Sequence, residues 1–289
     1  MNLADRYLEL LKSSLLNTLN LESEAQLMYA VSCAAHDRVM PLGEFTAVRR
    51  NTSWLGALRG ARAVGTTVQL EGRRRDGSIG PDPSLRNHSE FAHTLVGRAR
   101  LDQLQAAIET VLHEGIPGDL LEAGVWRGGA CILMRGVLAA HSVRDRRVWV
   151  ADSFAGLPNS EHPADGGFQM DASVLPFLAV SRNEVAELFE RYGLLDEQVG
   201  FIEGFFSESL PRAPLGPLAV LRLDADLYVS TRDALRALYP KLSPGGFVIV
   251  DDYLILPPCR AAVDDYLAEH GIQVELSEID AEAVYFRKP

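Results

Sequence analysis

The chain has 289 residues, enough for one large domain or two modest ones and for a core that needs no disulfide or zinc staple. Hydrophobic residues make up 47% and charged residues 23%, which excludes a disordered, collagen-like or coiled-coil chain as a whole. Lys and Arg number 28 and Asp and Glu 39, so the formal charge of −11 repels nucleic acid and no such partner is expected.

Residues 1–45 carry helical periodicity. Leu8, Leu11, Leu15 and Leu19 recur at spacings of three and four and give one apolar stripe. The stripe reads as an appended amphipathic helix, packed on a core or on a second subunit of a homodimer. Only Arg6 and Lys12 supply positive charge there, too little for a membrane-surface helix. The first residues lack the basic segment of a signal peptide, and no apolar run reaches the roughly 18 residues that span a bilayer. Cys33, Cys131 and Cys259 are scattered, without a metal-type or disulfide-type spacing. These features fit a cytoplasmic protein with no membrane partner.

Residues 46–92 are rich in Gly and Arg, with Arg73, Arg74 and Arg75 in a row and GSIGPDPS close behind. The stretch reads as a long loop of the kind that forms lids. The Arg run reads either as a solvated patch or as a contact for an anionic group.

From about residue 93 the texture alternates. GDLLEAG (118–124) reads as a strand and GGACILMRGVLAAH (128–141) as a helix. RVWVADS (147–153) is a strand, EVAELFERYG (184–193) a helix and QVGFIEG (198–204) a strand. LAVLRLDAD (218–226) is a strand, STRDALRALYPKL (230–242) a helix and GGFVIVDDY (245–253) a strand. CRAAVDDYLAEHG (259–271) is a helix, and IQVELSEI (272–279) and AVYFRK (283–288) close the chain as strands. The pattern predicts an α/β, Rossmann-like architecture: a seven-stranded, mostly parallel sheet with helices on both faces and an antiparallel last strand. The division expected is 1–92 as a helical extension and lid, and 93–289 as the sheet domain.

In such sheets ligands bind beyond the carboxyl ends of the strands. Three groups of residues fall there. Glu122, Gly124 and Gly128 lie on the turn from the first of these strands into a helix, where glycines let the backbone approach a ligand. The spacing G-x-x-x-G-G is not the dinucleotide fingerprint G-x-G-x-x-G. Asp152 ends the next strand, where an acid can hold a ribose diol or, like Ser153, cap the following segment. Asp224, Asp226, Asp251 and Asp252 cluster at the ends of two adjacent strands. Carboxylates so close repel unless protonated or neutralised, and hard oxygen ligands suit Mg²⁺ or a similar ion. The alternative is that Asp226 and Asp252 only cap the next elements.

YLELLKSSLLNT, LLEAGVWRGGACILMRG, VWVADSFAGLP, LRLDADLYVSTRDALRALYPKLSPGGFVIVDDY and CRAAVDDY together resemble the macrocin O-methyltransferase family. The resemblance covers 1–45 and 93–289, while 46–90 looks longer and more basic than the family's lid. It implies a class I S-adenosylmethionine (SAM) methyltransferase fold. It also implies Mg²⁺-dependent methylation of a sugar hydroxyl on a glycosylated natural product. By the same resemblance, Glu122, Gly124 and Gly128 form the SAM loop, Asp152 takes the ribose, and Ser153 lies in a marker segment (152–158) beside the cofactor. Glu203, Gly204 and Ser207 approach the adenine, His93 and Thr94 the methionine end, and Asp224, Asp251 and Asp252 hold the metal. Asp224 is the expected base, because it lies at the strand end, with Asp226 as the alternative. The competing acceptor is a phenol, catechol, or other hydroxyl on a polyketide or peptide.

Overall fold

Continuous apolar runs that stop at Gly or Asp become the strands of a seven-stranded sheet. The computed structural model describes residues 2–65, 68–73, 78–87 and 91–289. In chain order the elements are α1 (Leu3–Leu15), α2 (Leu21–Ala35), α3 (Leu42–Val48), α4 (Thr52–Val64), β1 (Val68–Arg73), β2 (Ile79–Asn87), α5 (Arg98–His113), β3 (Asp119–Ala123), α6 (Gly129–Ala140) and β4 (Val148–Asp152). They continue with α7 (Arg182–Arg191), β5 (Val199–Glu203), α8 (Phe206–Ser209), β6 (Leu218–Leu223), α9 (Tyr228–Leu238), β7 (Leu242–Val250), α10 (Pro257–Glu269), β8 (Ser277–Glu278) and β9 (Val284–Arg287). The chain divides into two compact units, Met1–Leu8 with Arg100–Pro289, and Glu9–Ala99.

The larger unit holds the sheet, in the order β5-β4-β3-β6-β7-β9-β8. β3 to β7 run parallel, and β9 pairs antiparallel with both β7 and β8. Strand order reverses between β3 and β6, so the crevice of this topology opens at the carboxyl ends of those two strands. β6 is buried along its whole length, and ten consecutive residues of α6, Gly129–Leu138, are buried beside the sheet. The central layer joins Leu121, Leu221, Leu223, Val248 and Val250 of the sheet to Leu235 and Leu238 of α9 and Val263 and Tyr266 of α10. Among the described residues no helix is long and apolar enough to cross a membrane.

The smaller unit departs from the sequence reading. Residues 46–92 are not one long loop. They hold the end of α3, all of α4 and the antiparallel pair β1–β2. α4 starts where Asn51 Oδ1 accepts from Trp54 N (3.1 Å) and ends on Gly65 in the left-handed conformation, φ 79°. Gly56 and Gly60 obscure this helix in the sequence, but each costs only about 1 kcal/mol and the two caps outlast them. Pro81 and Pro83 fall at a break in the β1–β2 register, which jumps from Gln69↔Arg86 to Glu71↔Pro81. Of the Arg run, Arg73 ends β1, and Arg74 and Arg75 lie outside the described residues. A small apolar cluster (Leu21, Ala25 and Met28 of α2 with Val48 and Leu58) forms this unit's core. Within it Glu24 accepts from Arg62 Nη2 (2.9 Å).

Three smaller differences follow from local chemistry. Leu8, Leu11 and Leu15 are buried as the stripe requires, but Leu19 is exposed because α1 ends at Leu15 and the chain turns at Asn17, φ 56°. α5 is an additional helix beyond the sequence pattern above, with Leu101, Leu104, Ile108 and Val111 on its buried face. Of 272–279 only Ser277–Glu278 pairs as a strand, beside the edge of the sheet.

Candidate active site

The crevice has a glycine-bearing side, at the ends of β3 and β4, and an acidic side, at the ends of β6 and β7. On the first side Gly124 follows β3 with φ 88°, and a Cβ there would lie 1.7 Å from the Asp224 carbonyl oxygen. Only glycine lets the ends of β3 and β6 come this close. Gly128 is also left-handed, φ 78°, and leads directly into α6, so the amides of that helix face the 124–128 turn.

Asp152 at the end of β4 holds this turn in place. Its Oδ2 accepts from Val125 N (2.8 Å) and its Oδ1 from Phe154 N (2.7 Å). Burial pushes its carboxyl up, and the Val125, Phe154 and Trp126 amides pull it back down. Ser153 turns into its own loop, donating to Gly156 O (2.6 Å) and accepting from Ala155 N (3.0 Å). At the end of β5, Gly204 N donates to Asp152 O (2.9 Å), while Glu203 and Ser207 are exposed. Thr94 belongs to the smaller unit, where its Oγ1 accepts from Val96 N (3.3 Å).

Glu122 is not on the surface of the turn. It is fully enclosed, paired with Arg222 and accepting from Cys131 Sγ (2.8 Å). Burial pushes it up to about 7, with Arg222 opposing. The register Glu122↔Arg222 sets the two side by side on β3 and β6.

Arg222 organises the acidic side. It sits inside an otherwise apolar strand at 1% exposure and reaches Glu122, Asp224 (2.9 Å) and Asp251. Asp251 is held from its other oxygen by Arg100 (2.6 Å), which also binds Asp280 (2.8 Å) and Glu282. Both oxygens of Asp251 are therefore committed to guanidinium groups. Successive residues leave a strand on opposite sides, and Asp252 points elsewhere. The cluster that the structure brings together is Asp224, Asp226 and Asp252, with one oxygen of each within 4.8 Å of the others. Asp251, expected as a ligand beside Asp224 and Asp252, stands outside that cluster, and Asp226 lies within it.

This trio is under electrostatic load. Asp252 is buried and its Oδ2 has no hydrogen-bond partner among the described residues. Burial and then the neighbouring carboxylates push Asp252 well up and Asp226 up to about 8. Asp224 rises to about 6, held back by Arg222. Asp226 adopts φ 56° and has no ion pair among the described residues. Asp152 is the smallest of the contributors to the rise at Asp226. An orphaned buried oxygen among crowded hard donors fits a divalent cation of the Mg²⁺ class.

Sequence reasoning missed Arg222 and Arg100. The signal for Arg222 was available: a charge inside a fully buried strand must have a carboxylate partner.

A family model described as Macrocin-O-methyltransferase (TylF) matches residues 4–288. The chain belongs to this family. The resemblance read from the sequence thus holds, and the match runs through the middle segment as well. The demethyldecarbamoylnovobiocin O-methyltransferase of Streptomyces niveus is 52% identical over 202 residues, covering 68% of this chain and 76% of the relative. The 8-demethyl-8-(2,3-dimethoxy-alpha-L-rhamnosyl)-tetracenomycin-C 4'-O-methyltransferase of Streptomyces olivaceus is 54% identical over 217 residues, covering 73% of this chain and 82% of the relative. The solved structure of the O-methyltransferase NovP matches with a TM-score of 0.74 at 40% identity, over 99% of each chain. This macrocin-family protein is accordingly an O-methyltransferase with the Rossmann-like sheet of that class.

Proposed function

We propose that the enzyme transfers the SAM methyl group to a sugar hydroxyl of a glycosylated natural product, with Mg²⁺ held by the acidic trio. The carrying observation is the buried Asp252 Oδ2, without a partner among the described residues, beside Asp224 and Asp226. The sugar acceptor is supported by the Streptomyces olivaceus relative, named for 4'-O transfer on a rhamnosyl-bearing tetracenomycin.

The reaction is an in-line displacement: the hydroxyl oxygen bonds to the methyl carbon, the carbon–sulfur bond breaks, and the hydroxyl proton leaves to a base. The 124–128 turn and Asp152 would seat the donor, with the α6 amides at its charged end. Asp224, Asp226 and Asp252 would hold the cation, which supplies Lewis acidity toward the acceptor hydroxyl. Between Asp224 and Asp226 as base, Asp226 is the better group. Asp224 Oδ2 already accepts from Arg222, whereas no arginine or lysine pairs with Asp226 among the described residues. Arg222 keeps Glu122 and Asp251 paired beneath the site.

The test is methyl transfer to a rhamnosyl glycoside and, separately, to a catechol, each with Mg²⁺ and with EDTA. Transfer to the glycoside that stops in EDTA is the expected result. Transfer to the catechol alone would move the acceptor to the phenolic class, and EDTA-resistant transfer would remove the metal.

A further inference from the structure

We propose that Asp165, on the loop after β4, is a positioning residue for the acidic trio. The inference rests on the proposed role of that trio. Asp165 is 59 residues upstream of Asp224 in the chain, yet it is buried at 2% exposure against the start of α9. Its Oδ1 accepts from Tyr228 N (2.5 Å), and its Oδ2 from Val229 N (3.3 Å) and Ser160 Oγ (2.7 Å). These amides are orphan donors of the first turn of α9, normally served by the helix's own N-cap. Here the N-cap is Leu227, whose side chain cannot accept a hydrogen bond. Asp165 supplies the cap from outside.

The segment that this cap clamps is short and carries two of the three acids. Asp224 N donates to Ala123 O (2.9 Å), which fixes the upstream end of 224–228 to β3. The downstream end is fixed by Asp165. Between them Leu227 N donates to Ala225 O (2.6 Å), and Asp226 is forced to φ 56°, a conformation that L-residues seldom hold unless their surroundings impose it. His162 stacks flat on the Tyr228 ring (4.6 Å, 8°), and Tyr228 Oη donates to Asp265 (2.9 Å), so the ring next to the cap is held from two sides. The geometry sets Asp226 opposite Asp224 and Asp252 only while both ends hold. The glycine side has its own brace, Asp152, and does not use this one.

The test compares wild type, Asp165→Ala and Asp165→Asn as full chains. Hydrogen exchange is followed in peptides covering 224–231. Mn²⁺ binding is followed by electron paramagnetic resonance, and S-adenosylhomocysteine binding by calorimetry. In Asp165→Ala, exchange over 224–231 should speed up about tenfold and Mn²⁺ should bind about tenfold more weakly, while S-adenosylhomocysteine affinity stays within about twofold. Asp165→Asn keeps one carbonyl acceptor and should recover most of both losses. Wild-type exchange in Asp165→Ala overturns the positioning role whatever the ion does. So does an equal loss of S-adenosylhomocysteine binding, since that marks a general structural defect. A wild type that binds no Mn²⁺ removes the metal reading of the trio, and the exchange data then decide the positioning role alone.

Discussion

At the ends of β3 and β4, each oxygen of Asp152 accepts a backbone amide, and Gly124 and Gly128 take two of the left-handed positions, with Trp126 (φ 48°) and Phe154 (φ 54°) at two others. At the ends of β6 and β7, Asp224, Asp226 and Asp252 crowd together, and one buried oxygen accepts nothing among the described residues. Between the two lies Arg222, which with Arg100 neutralises the carboxylates set deeper. The glycine side is complete as the chain folds it. The acidic side costs stability as it stands, because burial and mutual repulsion push its carboxyls toward protonation. The difference teaches that one half offers a ligand shape and amides, and the other an unmet charge.

The comparison can be broken most severely at Arg222. Arg222→Met leaves Glu122 and Asp251 buried without this partner, and should cost about 3–5 kcal/mol in urea unfolding. A loss below 1 kcal/mol would mean that the deeper acids are neutral in the native protein. Next comes the contact between the two sides. Gly124→Ala drives a Cβ into the Asp224 carbonyl and should cost about 3 kcal/mol while weakening both S-adenosylhomocysteine and Mg²⁺ binding. Asp152→Ala separates the sides. It frees the Val125 and Phe154 amides and should weaken S-adenosylhomocysteine binding about 10- to 100-fold, with Mg²⁺ affinity nearly unchanged. A variant that loses Mg²⁺ equally would show one site rather than two halves. The smallest effect lies outside both: Asn51→Ala removes the α4 cap and should cost about 1 kcal/mol, read in the amide exchange of α4.

Much of the large unit was legible because its strands are continuous apolar runs whose ends carry the acids, so sheet and crevice follow from one pattern. Asp224 and Asp252 could be placed at the carboxyl edge for the same reason. That Asp226 rather than Asp251 joins them in the cluster could not be read. Asp251 and Asp252 both lie past the end of β7, and the pairing of Asp251 depends on Arg222 of β6 and on Arg100 of α5, 151 residues away in the chain. Residues 46–92 misled because Gly56, Gly60 and two prolines mimic a loop, while Asn51 and Gly65 define a helix by local capping. Asp165 left no local mark, since it caps a helix that begins far downstream.

The most direct test of the divided crevice is thermal unfolding of wild type and Asp252→Asn, each in EDTA and in saturating Mg²⁺. Mg²⁺ should raise the wild-type Tm by several degrees, since an ion bound at 100 times its Kd contributes about 2.7 kcal/mol. Asp252→Asn should melt no lower than wild type in EDTA, because it removes a buried charge whose Oδ2 has no partner among the described residues, and should gain nothing from Mg²⁺. Equal Mg²⁺ shifts in both proteins would contradict a cation site at Asp224, Asp226 and Asp252.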